Sequence, residues 1–233
     1  MENFFAIIGG MGTMATESYI HQINLATNAR SDQEYLNYIL LNHATIPDRT
    51  SYILDHNQPN PLLDLLADIK ALNQLKPSFY TLPCNTAHYF YKQLSEEANA
   101  PLLHMPQEAV NSIKISYPRA KRVGILATRG TIMHGIYDNA VISAGFELIK
   151  PNEELLSLTT ELIYEKIKVN NYVDAALYRK IVTKMITDLK CDAVILGCTE
   201  LSLAQEREPL RNIPLIDAQM ALVNKTVEMA KTL

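Results

Sequence analysis

The sequence lacks any long apolar run. No stretch approaches the roughly 20 residues that a membrane-spanning helix needs. The first apolar run, Phe4–Ile8, is short and follows the acidic Glu2, so it does not resemble a secretory signal peptide and is better interpreted as a buried first strand. We therefore expect a cytoplasmic protein with no membrane partner.

The sequence is also short of positive charge. It carries 21 Lys and Arg against 25 Asp and Glu, which gives a net charge of -4 and a pI near 5.9. A protein that binds nucleic acid phosphates presents clustered Lys and Arg on one face. We therefore expect no nucleic-acid partner.

Cysteine is scarce too. The chain has three cysteines, an odd number, and no export signal. Both features favour free thiols in a reducing compartment over disulfides. No C-x-x-C or H-x₃-H spacing occurs, so a zinc site is not expected. The composition is otherwise that of a globular protein, with 48% apolar and 20% charged residues. Each thiol is therefore either a buried packing group or a reactive group.

What is present is an alternation of short apolar runs with helical patterns, which is typical of βα units with parallel sheets. Between the runs, Pro61 to Leu75 places leucines and Ile69 at helical spacing, and the last segment predicts a docked helix with Asp217 at its N-cap. The expected strands are Phe4–Ile8, Tyr38–Leu41, Phe79–Leu82, Val123–Leu126, Glu147–Ile149, Ala193–Leu196 and Leu215–Ile216.

The two halves of the chain resemble each other. FAIIGGMGT in the first half corresponds to VGILATRGT in the second, and FYTLPCNT corresponds to AVILGCTE. The cysteines of the second pair, Cys84 and Cys198, are 114 positions apart, about half the chain, which indicates a duplicated α/β domain. We expect one domain over residues 1–104 plus the C-terminal helix 217–233, and a second over 105–216. Because ligands bind beyond the carboxyl ends of parallel strands, a cleft between the domains is the expected site.

Two cysteines at equivalent strand-to-helix turns suit inversion of a carbon centre, which needs one acid/base group on each face. A thiol has a pKa of about 8.5, and a helix N-terminus favours its thiolate. Either cysteine alone would more often be a buried packing residue, but the matched pair reverses that preference. Cys191 precedes its strand and is expected to be packing.

The turn Gly10-Met-Gly-Thr-Met-Ala15 matches the dinucleotide fingerprint G-x-G-x-x-A. That fingerprint requires an acidic residue at the end of the second strand, and here the strand ends in Leu41-Asn42-His43. A tight turn whose backbone amides face a carboxylate is the preferred interpretation.

These motifs together resemble the aspartate/glutamate racemase family. The similarity runs from Gly9-Gly-Met-Gly12 through Pro83-Cys-Asn-Thr-Ala-His88, Ala127-Thr-Arg-Gly-Thr131 and Ile163-Tyr-Glu-Lys-Ile-Lys168 to Gly197-Cys-Thr-Glu-Leu201. The resemblance implies two pseudo-symmetric flavodoxin-like domains, each with a mostly parallel sheet flanked by helices and with the site in the cleft between them. It also implies a two-cysteine mechanism without pyridoxal phosphate or metal, and a homodimer.

The resemblance also assigns residues. Cys84 and Cys198 match the catalytic pair, and Arg49 and Lys168 match the cationic contacts to an acidic substrate, in place of the solvated surface charges that they would otherwise be. The remaining matches to substrate-binding positions are Gly12, Thr13, Asn85, Thr86, Thr128, Thr199 and Glu200. Thr13 departs from the family pattern, in which many relatives have Pro after the glycine turn.

The expected function is therefore cofactor-independent interconversion of L- and D-aspartate or glutamate. The two acids differ by one methylene, so the sequence does not choose between them. Two alternatives stay open: a related two-cysteine isomerase of another small acid, of the maleate type, and a non-catalytic amino-acid-binding protein.

Overall fold

A computed structural model describes residues 2–233. As expected from the alternating pattern, strands and helices follow one another along the chain. The strands are β1 Phe5–Gly9, β2 Tyr38–Asn42, β3 Tyr80–Thr81, β4 Arg122–Ala127, β5 Glu147–Ile149, β6 Ala193–Gly197 and β7 Leu215–Asp217.

The helices that connect the strands are mostly short. Two segments, Asp32–Glu34 and Thr86–Phe90, form 3-10 helices, and Glu161–Val169 forms a π-helix. The α-helices are α1 Thr13–Thr27, α2 Arg49–Leu54, α3 Pro61–Asn73, α4 Tyr91–Glu97, α5 Met105–Ser116, α6 Arg129–Met133, α7 Asp138–Ser143, α8 Glu153–Thr160, α9 Ala175–Thr187, α10 Thr199–Arg207 and α11 Ala218–Ala230.

The first sheet is parallel, with strand order β2-β1-β3. Its central strand β1 is buried along its whole length, as a parallel strand covered on both faces should be. Strand β3 is shorter than the expected Phe79–Leu82. Pro83 has no N–H to continue the ladder, and the amide of Cys84 turns back to the Leu82 carbonyl at 2.8 Å.

The second sheet is also parallel, with strand order β5-β4-β6-β7. Its first three strands repeat the order of the first sheet, and β7 is added at the edge. Strand β6 is buried throughout and pairs with β4 from Val123–Ala193 to Ala127–Gly197. Two parallel-sheet α/β units with matching strand order confirm the expected fold class.

Contacts divide the chain into two compact units. One consists of the residues up to Met105 together with Gln219–Leu233, and the other of Pro106–Ala218. We propose that these units are the two domains expected from the sequence. Each has an apolar core of its own, centred on residues such as Ile8 and Leu65 in the first and on residues such as Val194 and Ile181 in the second.

Two helices show how the apolar patterns translate into packing. In α3 the residues Leu65, Ile69 and Leu72 are buried, and the helix begins at Pro61, where a first turn tolerates proline. Helix α11 begins at Ala218, after Asp217, which is the last residue of β7. No helix within residues 2–233 is both long and apolar enough to span a bilayer.

Candidate active site

Cys84 lies in the turn that follows the carboxyl end of β3. Its side chain is 5% exposed, and Asn85 immediately after it adopts a helical conformation. The helix that starts there is the five-residue 3-10 helix Thr86–Phe90, which runs on into α4. The sequence predicted a helix start without its type, and a short 3-10 helix gives a smaller aligned dipole than a full α-helix.

The glycine-rich turn after β1 approaches the backbone that follows β2. Gly10 has φ +93°, and a Cβ at this position would lie 2.4 Å from the carbonyl carbon of His43, so only glycine fits. The Gly10 amide donates to Thr16 Oγ1 at 3.0 Å, and that hydroxyl donates to the Gly12 carbonyl at 2.9 Å. Gly12 is the N-cap of α1, and Thr13, its first residue, is exposed.

Arg49 is buried, at 7% exposure, at the start of α2. Its Nη2 donates to the Met11 carbonyl in the glycine turn at 3.1 Å, and Nη1 donates to the Pro47 carbonyl at 3.1 Å. These contacts orient the guanidinium and tie it to the glycine turn. Arg49 is therefore not a solvated surface charge.

Cys198 follows the last residue of β6 directly and is the N-cap of α10. Its thiol donates to Glu200 Oε2 at 2.9 Å. Glu200 is itself buried, at 5% exposure, and its other oxygen lies 3.8 Å from Lys168 Nζ. The Glu200 carboxylate therefore lies between the Cys198 thiol and the Lys168 ammonium. The thiol and the carboxylate come from the start of α10, and the ammonium comes from the π-helix.

This arrangement corrects the expectation that the helix N-terminus favours the Cys198 thiolate. Burial raises the pKa of Cys198 well above its ordinary value, and the negative charge and hydrogen bond of Glu200 raise it further. The ammonium of Lys168 lowers this pKa but does not reverse the direction. Cys198 is therefore held as a thiol at neutral pH, because desolvation and a like charge outweigh the helix dipole.

Lys168 sits near the end of the π-helix. Its Nζ lies 4.4 Å from the centre of the Tyr164 ring, and its side chain is 24% exposed. A cation over an aromatic face is stabilised by the ring quadrupole. The ring and Glu200 therefore hold the ammonium beside Cys198.

Four of the expected substrate-binding side chains are buried in turns that follow parallel strands. Asn85 and Thr86 follow Cys84, and Thr199 follows Cys198, each with 6% exposure or less. Thr128, at 3% exposure, directly follows β4 as the N-cap of α6, and its hydroxyl accepts a bond from the Thr131 amide. Each of these residues lies at the carboxyl end of a parallel strand.

The third cysteine, Cys191, packs in the core of the second unit. Its sulfur lies 2.7 Å from where a Cβ on Gly124 would stand, and burial raises its pKa to about 11. Within residues 2–233 no three His, Cys, Asp or Glu side chains are grouped to hold a metal ion.

The comparisons with known proteins decide the family. A model of the Asp/Glu/Hydantoin racemase family matches residues 8–226. This chain belongs to that family. The resemblance predicted from the motifs is confirmed, as is the expected enzyme class, a racemase of the amino-acid type.

Proteins similar to this one in sequence or in fold align over nearly the whole chain. The broad specificity amino-acid racemase RacX of Bacillus subtilis (strain 168) is 25% identical over 227 residues, 95% of each chain. The aspartate racemase of Picrophilus torridus is 28% identical with a TM-score of 0.82, over 98% of this chain and 94% of that one. The glutamate racemase of Francisella tularensis, solved with D-glutamate, shares the fold at 16% identity and a TM-score of 0.65, over 98% and 81%.

Three polar residues of the second unit were not predicted from the sequence as site residues: Tyr137, Ser202 and Asp217, the last of which was expected only as a helix N-cap. Ser202 donates to Asp217 Oδ1 at 2.6 Å. Tyr137 is fully buried, and its pKa is raised by burial and then by the charges of Asp217 and Cys198. Asp217 ends β7 as Cys198 follows β6, so the strand-end rule that found the cysteine could have found Asp217 as well.

Proposed function

We propose that this family member racemises aspartate or glutamate without a cofactor, with Cys84 and Cys198 as its two acid/base groups. The observation that carries the proposal is the equivalence of the two cysteines. Cys84 follows β3 and Cys198 follows β6, and these strands hold the same place in the orders β2-β1-β3 and β5-β4-β6. A duplicated thiol suits a reaction that needs one proton-transfer group on each face of a carbon.

In the proposed reaction one thiolate removes the α-proton and the opposite thiol returns a proton to the other face. The electron pair of the Cα–H bond stays on the substrate as a carbanion until the second thiol protonates it. The first cysteine ends as a thiol and the second as a thiolate, so the reverse reaction starts from the product state. No oxidant or reductant is consumed.

Glu200 supplies a way to charge Cys198. Transfer of the thiol proton to Glu200 Oε2, across the 2.9 Å hydrogen bond, leaves a thiolate and a neutral carboxyl group. A thiol with a raised pKa is a stronger base once it is deprotonated, and the α-proton of an amino acid is weakly acidic. We therefore assign Glu200 to the proton chemistry of Cys198, in place of the substrate contact expected from the sequence.

The proposed selection of an acidic substrate rests on Arg49 and Lys168. A buried guanidinium grips a carboxylate with two parallel hydrogen bonds, and its backbone contacts leave it little freedom. Lys168 adds a second positive charge beside Cys198. The substrate α-amino and carboxylate groups are assigned to the backbone of Gly12 and Thr13 and to the side chains of Asn85, Thr86, Thr128 and Thr199.

A homodimer is part of the same proposal and rests on the family resemblance. Size-exclusion chromatography with light scattering should give about twice the chain mass of 26.2 kDa. A mass equal to one chain would remove the dimer from the proposal without touching the chemistry.

The function is tested with the purified protein and single enantiomers. L- and D-forms of aspartate, glutamate and alanine are incubated without added cofactor and analysed by chiral chromatography. We expect the acids to move toward equal amounts of both enantiomers and alanine to turn over far more slowly. Fast turnover of alanine would contradict the assignment to acidic substrates and would favour a broad specificity. Binding of the acids without inversion would favour a binding protein, and isomerisation of maleate alone would favour the other isomerase.

A further inference from the structure

His88 is a buried titratable residue that the proposed chemistry does not use. It lies in the 3-10 helix after Cys84 and is 5% exposed. Both of its ring nitrogens make hydrogen bonds: Nδ1 is 2.9 Å from the Cys84 carbonyl oxygen, and Nε2 is 3.1 Å from the amide nitrogen of Met105. One imidazole therefore joins the Cys84 turn to the first residue of α5.

The two partners fix the tautomer of the ring. The backbone amide of Met105 can only donate, so Nε2 of His88 is the acceptor and carries no hydrogen. Nδ1 therefore carries the hydrogen and donates it to the Cys84 carbonyl. The ring is neutral: burial, and then the charge of His104, lower the pKa of His88 from 6.5 to about 3.

Aromatic neighbours hold the ring in its plane. The Tyr91 ring lies nearly parallel to it, at 9° and 5.9 Å between centroids, and the His104 ring meets it edge-on at 5.4 Å. Tyr91 is anchored in turn by its hydroxyl, which donates to the Leu102 carbonyl at 2.9 Å. These ring contacts and the two hydrogen bonds together set the direction of the Nδ1–H bond.

A held carbonyl fixes more than one atom. The peptide unit between Cys84 and Asn85 is planar, so an oriented Cys84 carbonyl also orients the Asn85 amide, which points the opposite way. The Cys84 amide is held as well, by its 2.8 Å bond to the Leu82 carbonyl. With both flanking peptide planes fixed, the Cα–Cβ bond that carries the thiol has one direction.

We propose that His88 is the positioning residue for Cys84, acting as a permanently neutral Nδ1–H donor that fixes the peptide plane from which the thiol projects. The proposal rests on the proposed function, together with the division of labour that the family resemblance implies: Cys84 takes the α-proton of the D-enantiomer and Cys198 takes that of the L-enantiomer. It assigns His88 no proton transfer and no contact with substrate. Its effect is confined to the half-reaction of Cys84.

Two substitutions separate the two hydrogen bonds of His88. Asn places its amide N–H₂ near the position of Nδ1, so His88→Asn keeps the donor to the Cys84 carbonyl and loses the acceptor for Met105. Gln places its oxygen near the position of Nε2, so His88→Gln keeps the acceptor and loses the donor. Each variant gives up one buried hydrogen bond, so a purely structural role predicts equal effects.

The measurement is α-proton exchange in deuterated water, followed by NMR for each enantiomer separately. We expect His88→Gln to slow exchange of the D-substrate by about 10²-fold, because small displacements of a reacting group cost rates of this order. Exchange of the L-substrate, served by Cys198, stays within a few-fold of wild type. His88→Asn should restore most of the D-side rate.

The matched control is Tyr19→Phe, which removes another buried hydrogen bond of the same unit, the one between the Tyr19 and Thr226 hydroxyls, 2.7 Å apart. It should lower thermal stability comparably and leave both exchange rates alone. Equal losses in His88→Asn and His88→Gln, or equal losses for both enantiomers, would overturn the positioning role.

Thiol alkylation distinguishes a failure of this inference from a failure of the proposed function. Iodoacetamide modification of each cysteine, followed by mass spectrometry, needs no substrate. We expect His88→Gln to change the alkylation rate of Cys84 several-fold without changing that of Cys198, and His88→Asn to match wild type. If the wild-type protein exchanged the α-proton of no amino acid, the proposed function would be wrong. The alkylation rates would still decide whether His88 positions Cys84. An unchanged Cys84 rate in His88→Gln would refute it.

Discussion

The turn that carries Cys84 and the turn that carries Cys198 stand at equivalent places in two sheets of the same strand order, yet their surroundings differ. The Cys198 thiol donates to a buried carboxylate, with an ammonium behind it. The Cys84 turn is held through its backbone by a neutral imidazole. Duplication of the fold has kept the position of the sulfur and has not kept the electrostatics around it.

The difference teaches that matched geometry does not imply matched chemistry. Burial and Glu200 raise the pKa of Cys198, so its proposed role as a base requires removal of a firmly held proton. Around Cys84 the contacts fix the orientation of the side chain, because His88 and Leu82 hold the two peptide planes that flank this residue. We therefore expect the two half-reactions to respond to different substitutions.

Among the substitutions around the two cysteines, the largest change in exchange rate is expected when Glu200 is replaced. In Glu200→Gln the acceptor for the Cys198 proton is lost while the shape is kept, and L-substrate exchange should fall about 10²-fold or more at neutral pH, the usual contribution of a proton-transfer group. D-substrate exchange should change only a few-fold. The exposed Glu206, also on α10, provides the control: Glu206→Gln should behave as wild type. Equal losses for both enantiomers in Glu200→Gln would remove the asymmetry from our account.

A smaller effect is expected from the cations. Loss of one charge-assisted hydrogen bond, about 2 kcal/mol, should raise KM for aspartate or glutamate about 30-fold in Arg49→Lys, which keeps the charge and loses the two-pronged geometry. Steady-state kinetics that showed an unchanged KM in Arg49→Lys would indicate that Arg49 has a structural role only.

Lys168→Ala should also lower the exchange rate of the L-substrate, because this ammonium lies beside Glu200. Lys166→Ala, on the same π-helix, is the control, since Lys166 pairs with Glu161.

The smallest effect concerns stability in acid. The folded-state pKa of His88, about 3, lies below the ordinary 6.5, so its contribution to stability is present above pH 6.5 and is lost as the pH falls toward 3. Between pH 7 and 5.5 wild type should lose about 1 kcal/mol more of its free energy of unfolding than His88→Asn loses. Urea denaturation at both pH values measures this difference. Parallel losses in the two proteins would show that His88 does not remain neutral in the fold.

Much of the fold follows from local pattern in the sequence. The buried β1 and β6 were visible as short apolar runs, and the stripe of Leu65, Ile69 and Leu72 as helical periodicity. The placement of Cys84 and Cys198 after equivalent strands followed from internal repetition. These features depend on residues close together in the chain, which is why the sequence was sufficient for them.

What the sequence did not predict depends on contacts across the fold. The raised pKa of Cys198 results from burial and from a carboxylate held against it by tertiary packing, whereas the helix-dipole argument considered one element alone. The role of His88 requires Met105, 17 positions away. The π-helix around Lys168 has no sequence rule that we could apply, and its cation–π contact with Tyr164 depends on that local geometry.

The central claim is that each cysteine serves one enantiomer. The direct measurement is α-proton exchange in deuterated water by Cys84→Ala and Cys198→Ala, with L- and D-substrate in turn, alongside racemisation. The account predicts that neither variant racemises, that Cys84→Ala still exchanges the L-substrate, and that Cys198→Ala still exchanges the D-substrate. Swapped preferences would contradict the assignment of faces, and racemisation at the wild-type rate by either variant would contradict the two-cysteine mechanism itself.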